Sequence, residues 1–155
     1  PEMCLDMVRP GLLLYGYGDT SGRLGLLPCM RLVTTVSTIK FYEKGTSVSY
    51  GRRFVTDRRT RMGVLSIGYA DGLPRLISNK CSFYTSGGFV PQRGSICMDM
   101  CMAELTDVPA AEVGSEVEIF GRNNSILALS DAAQTIPYEL LCAVSKRVPR
   151  VYKQF

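Results

Sequence analysis

Three short, strand-like runs broken by glycine fall within residues 45–100, and they constrain this chain more than any other feature. They are TSVSYGRRF (46–54), MGVLSIGYADGLPR (62–75) and GSICMDM (94–100). Glycine tolerates a left-handed backbone and lets neighbouring chain approach closely, so each run is predicted to lead into a bend. The bends hold polar or phenolic groups: Tyr50 in the first, Tyr69, Asp71 and Arg75 in the second, Asp99 in the third. Side chains mounted on bends above a rigid scaffold are frequent carriers of binding and catalysis. Ser49-Tyr50-Gly51 stands at the centre of the pattern.

The rest of the chain reads as strand. Residues 29–40 alternate, with Met30, Leu32, Thr34, Val36 and Thr38 on one face and Arg31, Val33, Thr35, Ser37 and Ile39 on the other. That period and the density of β-branched residues predict a half-buried strand. Further strands are predicted at 46–55, 61–67, 81–85, 88–92, 95–105 and 116–120, with Gly87-Gly88 as a hairpin turn. Many short strands at such intervals predict a mainly β domain, an antiparallel barrel closed or partly closed on itself. The tail changes period. Asn124-Ser125 and Ser130-Asp131 are candidate helix caps, and Pro137 suits the first turn of a helix running to about Val144. Residues 148–152 return to extended chain. Near the start, Met7 to Gly16 is an apolar run read as a buried strand, with Pro10 near its end because proline lacks an N–H for a central ladder position. Residues 17–28 have no clear period and read as a linker.

Composition excludes several classes. At 155 residues with 46% apolar content, the chain suits one globular domain with a core. It has no run of 18 or more apolar residues, so no transmembrane helix is predicted. It does not begin with Met and has no signal-like start, which reads as a cut inside a longer protein. The cluster Arg52, Arg53, Arg58, Arg59 and Arg61 lacks the aromatic interleaving of an RNA-binding surface and reads as a solvated hairpin rim around Asp57. No nucleic-acid partner is expected. The six cysteines (4, 29, 81, 97, 101 and 142) form no CxxC and there is no histidine. Metal is therefore not expected, and reduced, mostly buried thiols in a cytoplasmic protein are.

Five blocks in order, VRPGLLLYG (8–16), SYGRRF (49–54), GYADGLPR (68–75), ICMDM (96–100) and PYELLCAVSKRVPRVY (137–152), resemble the C-terminal domain of the alanine racemases. These enzymes use pyridoxal 5′-phosphate (PLP). The resemblance implies a Greek-key-like β-barrel with two short C-terminal helices over residues 21–155. Residues 1–20 would then be the last strand segment of an N-terminal (β/α)8 PLP barrel and its linker. It further implies a head-to-tail homodimer acting on alanine, in which each β-domain completes its partner's site.

Racemisation needs an acidified Cα–H and a proton acceptor on each face of Cα. By the resemblance PLP supplies the first and a barrel lysine serves one face, while Tyr50 is the base for the other. A phenol with a pKa near 10 is a poor base at neutral pH, so neighbouring groups must stabilise its anion. Arg9 would face the PLP pyridine nitrogen. A permanent donor there leaves that nitrogen unprotonated and weakens the ring as an electron sink, which suits a racemase better than a transaminase. The backbone N–H groups of Gly11 and Leu12 would bind the phosphate, joined by Tyr138, which also crowds the substrate side chain. The Met98 amide would receive the substrate carboxylate, and Tyr69 and Arg75 would line the entry corridor. Tyr50, Tyr69 and Met98 would serve the partner's site. Asp71 and Asp99 read as anchors of their loops. Ser95 stands where some members carry arginine, which bears on the corridor's charge.

The five lysines (40, 44, 80, 146 and 153) lie outside any motif like that of the PLP lysine. The chain alone is therefore expected to bind no cofactor covalently and to be inactive. Two other readings stand beside the alanine racemase. One is a serine racemase of the same family fused to a membrane domain, disfavoured by a tyrosine at 138. The other is a non-catalytic β-barrel interaction module, disfavoured by the apolar run at 12–14.

Overall fold

The computed structural model describes residues 6–18 and 22–153; Cys4 and the linker positions 19–21 lie outside the described residues. Eight strands and two helices follow in order: β1 (Leu32–Tyr42), β2 (Ser47–Val48), β3 (Phe54–Val55), β4 (Thr60–Leu65), β5 (Ser82–Thr85), β6 (Gly88–Arg93), β7 (Cys101–Glu104), β8 (Glu116–Phe120), α1 (Ile126–Ala132) and α2 (Pro137–Ala143). Six strands close into a barrel in the order β1-β4-β7-β6-β5-β8, every neighbour antiparallel. Closure removes the edges that a sheet of short strands would otherwise expose. The mainly β barrel with two C-terminal helices is therefore as expected.

The interior is filled by inward-facing apolar residues, among them Phe83, Met62, Leu65, Ile96, Leu105 and Ile119, each under 2% exposed. Burying side chains of this size contributes about 1.5–3 kcal/mol each. Helix α1 is capped by the Ser125 hydroxyl, which accepts from the Leu127 N–H at 3.2 Å, and lays Ile126 and Leu129 on the core. Helix α2 opens on Pro137 and buries Leu140 and Leu141. Ser130-Asp131 caps nothing, because Ser130 is buried within α1 and Ile136 occupies the N-cap position of α2.

Four strand predictions need correction. In β1, the alternation holds through Leu32, Thr34 and Val36, but a register irregularity between Val36 and Thr38 shifts the pattern. Ile39 consequently packs on the core and Thr38 is exposed, as expected when one residue is added to a period-two pattern. Residues 46–55 are no single strand: β2 and β3 fold back on each other, pairing Ser47 with Val55 and Val48 with Phe54. Of 95–105, only Cys101–Glu104 is strand. Finally, the apolar run at 7–16 forms a 3-10 turn at Gly11–Tyr15 with Leu14 exposed. Pro10 there is helical in φ and ψ and Gly11 has φ +60°; apolar content with Val8 as its one β-branched residue did not specify a strand.

Thiols are less buried than expected. Cys101 is buried, Cys81 and Cys97 are partly so, and Cys29 and Cys142 are exposed. Three members of the arginine cluster are tied down: Arg58 pairs with Glu104 and Asp107, Arg59 pairs with Glu43 and covers the Phe41 ring, and Arg61 donates to the carbonyls of Val108 and Ala111.

Candidate active site

One loop, residues 94–98 between β6 and β7, organises the surface that carries most of the predicted site residues. It begins at Gly94, whose φ is +76° and whose missing Cβ would lie 2.8 Å from the Ser49 Cβ and 2.9 Å from the Val48 carbonyl. No larger residue would let the β2–β3 ribbon settle there. Asn79, in the turn before β5, and Gln92 of β6 hold this bend. The Gly94 N–H donates to Asn79 Oδ1 (2.6 Å), the Asn79 N–H donates to Gln92 Oε1 (2.7 Å), and Gln92 Nε2 donates to the Gly94 carbonyl (3.0 Å). Gln92 is fully buried, so a satisfied polar network, costly to break, sets the loop's position.

Tyr50 rides on the bend between β2 and β3. The bend needs left-handed or otherwise unusual backbone at Ser49 (φ 65°, ψ −178°), Gly51 (φ 74°) and Arg52 (φ 52°). Non-glycine residues held so cost on the order of 1–3 kcal/mol each and persist only where surroundings enforce them. The Ser49 hydroxyl donates to the Ser95 carbonyl at 2.6 Å, and the Ser95 hydroxyl donates to the Tyr50 carbonyl at 2.8 Å. The Tyr50 side chain is 72% exposed.

The GYADG bend docks on the other side of the same loop. Tyr69 N–H donates to the Cys97 carbonyl and Ala70 N–H to the Met98 carbonyl, both at 3.0 Å. Arg75 Nη1 donates to the Ile96 carbonyl at 2.9 Å. Tyr69 and Met98 remain exposed. Asp71 and Asp99 anchor their loops, as expected: Arg147 reaches Asp71 Oδ1 through Nε and Asp99 Oδ1 through Nη2, both at 2.7 Å. Asp71 Oδ2 also accepts the Gly68 N–H at 2.9 Å.

A second meeting point lies at the start of the chain. The Leu12 N–H donates to the Tyr138 hydroxyl at 2.7 Å, and a Cβ on Gly11 would lie 2.5 Å from that oxygen. Gly11, Leu12 and Tyr138 thus converge, with Arg9 exposed two residues before Gly11. A cavity of about 360 Å³ opens beside Arg75 and Leu76, bounded by Gln134, Thr135 and Glu139; Tyr50, Tyr69 and Met98 do not line it.

Sequence reasoning missed Arg147 and gave Ser95 no part in holding the Tyr50 bend. Arg147 lies in the SKRVPR block, but its carboxylates are 76 and 48 residues away, so no local spacing points to them. Ser95 is 1% exposed, and its hydroxyl donates to the Tyr50 carbonyl. Burial pushes the Cys81 thiol up to about 12 and the Cys101 thiol up as well, which disfavours the thiolate at both. Among the described residues no group of three or more His, Cys, Asp or Glu is placed to hold a metal, and no helix is long and apolar enough to cross a membrane.

The fold is a closed antiparallel barrel with Tyr50, Tyr69 and Met98 exposed on its bends. The sequence profile of the alanine racemase C-terminal domain matches residues 29–152. Alanine racemase 2 of Caldanaerobacter subterraneus is 44% identical over 96% of the chain, and the alanine racemase of Geobacter sulfurreducens 43% over 95%. Among solved structures, the biosynthetic alanine racemase of Pseudomonas aeruginosa superposes with a TM-score of 0.90 at 37% identity, covering 96% of this chain and 43% of that one. An alanine racemase from Bartonella henselae with covalently bound pyridoxal phosphate gives 0.88 at 36%, covering 96% and 42%. The chain belongs to the alanine racemase family, as its C-terminal domain. It spans 40% and 41% of the length of the Caldanaerobacter and Geobacter relatives.

Proposed function

We propose that this domain is part of an enzyme that interconverts L- and D-alanine with PLP, and that Tyr50 is the proton acceptor on one face of the substrate Cα. The observation that carries this reading is the outward placement of Tyr50 on a bend fixed to the same 94–98 loop that fixes Tyr69 and Met98. Three separated motifs thereby converge on one surface, which suits joint action on one small molecule. Large exposed side chains grouped in this way are also what an interface leaves on an isolated subunit. We therefore read the surface as covered by the PLP barrel of a partner in a head-to-tail homodimer. Tyr50, Tyr69 and the Met98 amide would act on the partner's substrate, with Arg75 on its approach.

The residues at the other meeting point fit a phosphate-bearing cofactor. Gly11 leaves room where a Cβ would crowd the Tyr138 hydroxyl, and that hydroxyl already receives the Leu12 N–H at 2.7 Å. The Leu12 N–H and the Tyr138 hydroxyl, bonded to each other in this structure, would exchange that bond for phosphate oxygens beside the Gly11 N–H, and Arg9 would donate to the pyridine nitrogen, all within one subunit, where residues 1–20 end the PLP barrel and 21–155 form this domain. Bound PLP supplies an electron sink that acidifies the substrate Cα–H. Tyr50 takes or returns the proton at its phenolic oxygen, which requires cationic or hydrogen-bonding neighbours from the partner. Tyr138 narrows the substrate pocket and favours alanine over serine. The product D-alanine would serve peptidoglycan precursors made in the cytoplasm.

The test is racemisation of alanine by the full-length holoenzyme and its Tyr50→Phe variant. Removing a general base costs about 10²–10⁴-fold, and a loss of that size in kcat is expected in both directions. Full rates in the variant would overturn the assignment.

A further inference from the structure

We infer that Ser95 is a positioning residue for Tyr50: the Ser49 and Ser95 hydroxyls form a reciprocal latch that holds the strained Tyr50 bend in the orientation proton transfer needs. The inference rests on the racemase reading for its kinetic consequence, but the latch itself stands on geometry. The two bonds run in opposite directions between the ribbon and the loop, Ser49 Oγ to the Ser95 carbonyl at 2.6 Å and Ser95 Oγ to the Tyr50 carbonyl at 2.8 Å. They straddle Tyr50 at its own carbonyl and at the residue before it. The accepting carbonyl belongs to Tyr50 itself, so the direction of its peptide group is set by Ser95. Without that restraint, Ser49 (φ 65°) and Arg52 (φ 52°) have a reason to relax toward ordinary backbone, and the exposed phenol would swing with them.

The latch is also anchored. Ser95 is 1% exposed, so its bonds form away from competing water. The preceding Gly94 is seated on β6 through Asn79 and Gln92. Cys97 Sγ lies 3.5 Å from the Ser49 hydroxyl, which closes the remaining side of that group. Tyr50 is thus exposed in its side chain and restrained in its backbone, the combination expected of a base that must meet a substrate bound mostly elsewhere.

The test compares the full-length PLP holoenzyme with its Ser95→Ala and Ser95→Thr variants, using alanine and α-deuterated alanine of each hand. A misplacement of about 1 Å can cost on the order of 100-fold in rate. Ser95→Ala is expected to lower kcat on the order of 10-fold with KM within about twofold, and Ser95→Thr, which keeps the hydroxyl, to recover most of it. Enantiomers have equal free energy, so kcat/KM must fall equally in both directions; the isotope effects need not. If Tyr50 is misplaced, its proton transfer becomes more rate-limiting. The α-deuterium effect then rises for the enantiomer whose proton Tyr50 takes and falls for the other. Unchanged kcat, or a fall with isotope effects that move together, would overturn the inference and leave Ser95 a fold-stabilising residue. If wild type does not racemise alanine, the functional reading fails, and hydrogen exchange of the 47–55 amides decides the latch alone. Faster exchange in Ser95→Ala upholds it, and unchanged exchange overturns it.

Discussion

Glu118 in the barrel wall and Tyr50 on the rim are both polar groups in a small β-domain, and the domain treats them in opposite ways. Glu118 is 2% exposed and receives the Asn123 and Asn124 N–H groups, the Asn123 side chain and Arg31 Nε. Burial opposes its charge, yet these donors outweigh burial and hold its pKa below the ordinary carboxylate value. Tyr50 has its backbone restrained and its hydroxyl left to solvent or a partner. A buried polar group must be satisfied within the fold; a catalytic one is left to be satisfied by the substrate and its neighbours. On the proposed racemase reading, the barrel carries stability and the bends carry function at a cost in backbone strain.

This contrast can be broken by substitution. The largest effect should be that of Tyr50→Phe, which would remove about 3–5.5 kcal/mol of transition-state stabilisation while leaving the melting temperature unchanged, since the side chain packs little. Phe83→Ala is its converse. Emptying a fully buried aromatic site should cost about 3–5 kcal/mol in denaturant unfolding, with kcat per folded molecule preserved. A large kcat loss in folded Phe83→Ala protein would show that rim and wall are coupled.

Glu118→Gln comes next, at about 1–3 kcal/mol, because two backbone donors remain aimed at a weaker acceptor. A carboxylate whose folded pKa is lowered contributes stability above its unfolded pKa, and that contribution is lost as pH falls through the folded value. Unfolding curves should therefore separate wild type from Glu118→Gln at neutral pH and bring them together as pH drops below about 4.3. A constant gap across that range would refute the ionic role.

Arg147→Ala should have the smallest effect on stability. The guanidinium is about half exposed, and ion pairs open to water contribute little to stability. Its effect should instead be local: faster hydrogen exchange at the Tyr69 and Ala70 amides, and a fall in kcat/KM on the order of 10-fold from loosened site loops. Unaltered exchange at both amides would mean that the paired aspartates do not hold the loops together.

What the sequence determined by itself were the features that short-range physics controls. The alternation at 32–36 specified an inward face, Pro137 marked the first turn of α2, Ser125 marked the cap of α1, and glycines marked the bends that carry Tyr50 and Tyr69. The ordered motifs pointed to the alanine racemase family because they record residue identities, whatever their three-dimensional contacts. Only the tertiary structure decided the remainder. The irregularity after Val36 turned Ile39 inward, a choice made by pairing with β4. The ribbon at 47–55 closed because Gly94 left room for it. Ser95 was brought against the Tyr50 carbonyl, and Arg147 found two carboxylates far away in sequence. Each of these depends on which distant segment the barrel brings alongside, and neither propensity nor spacing along one chain carries that information.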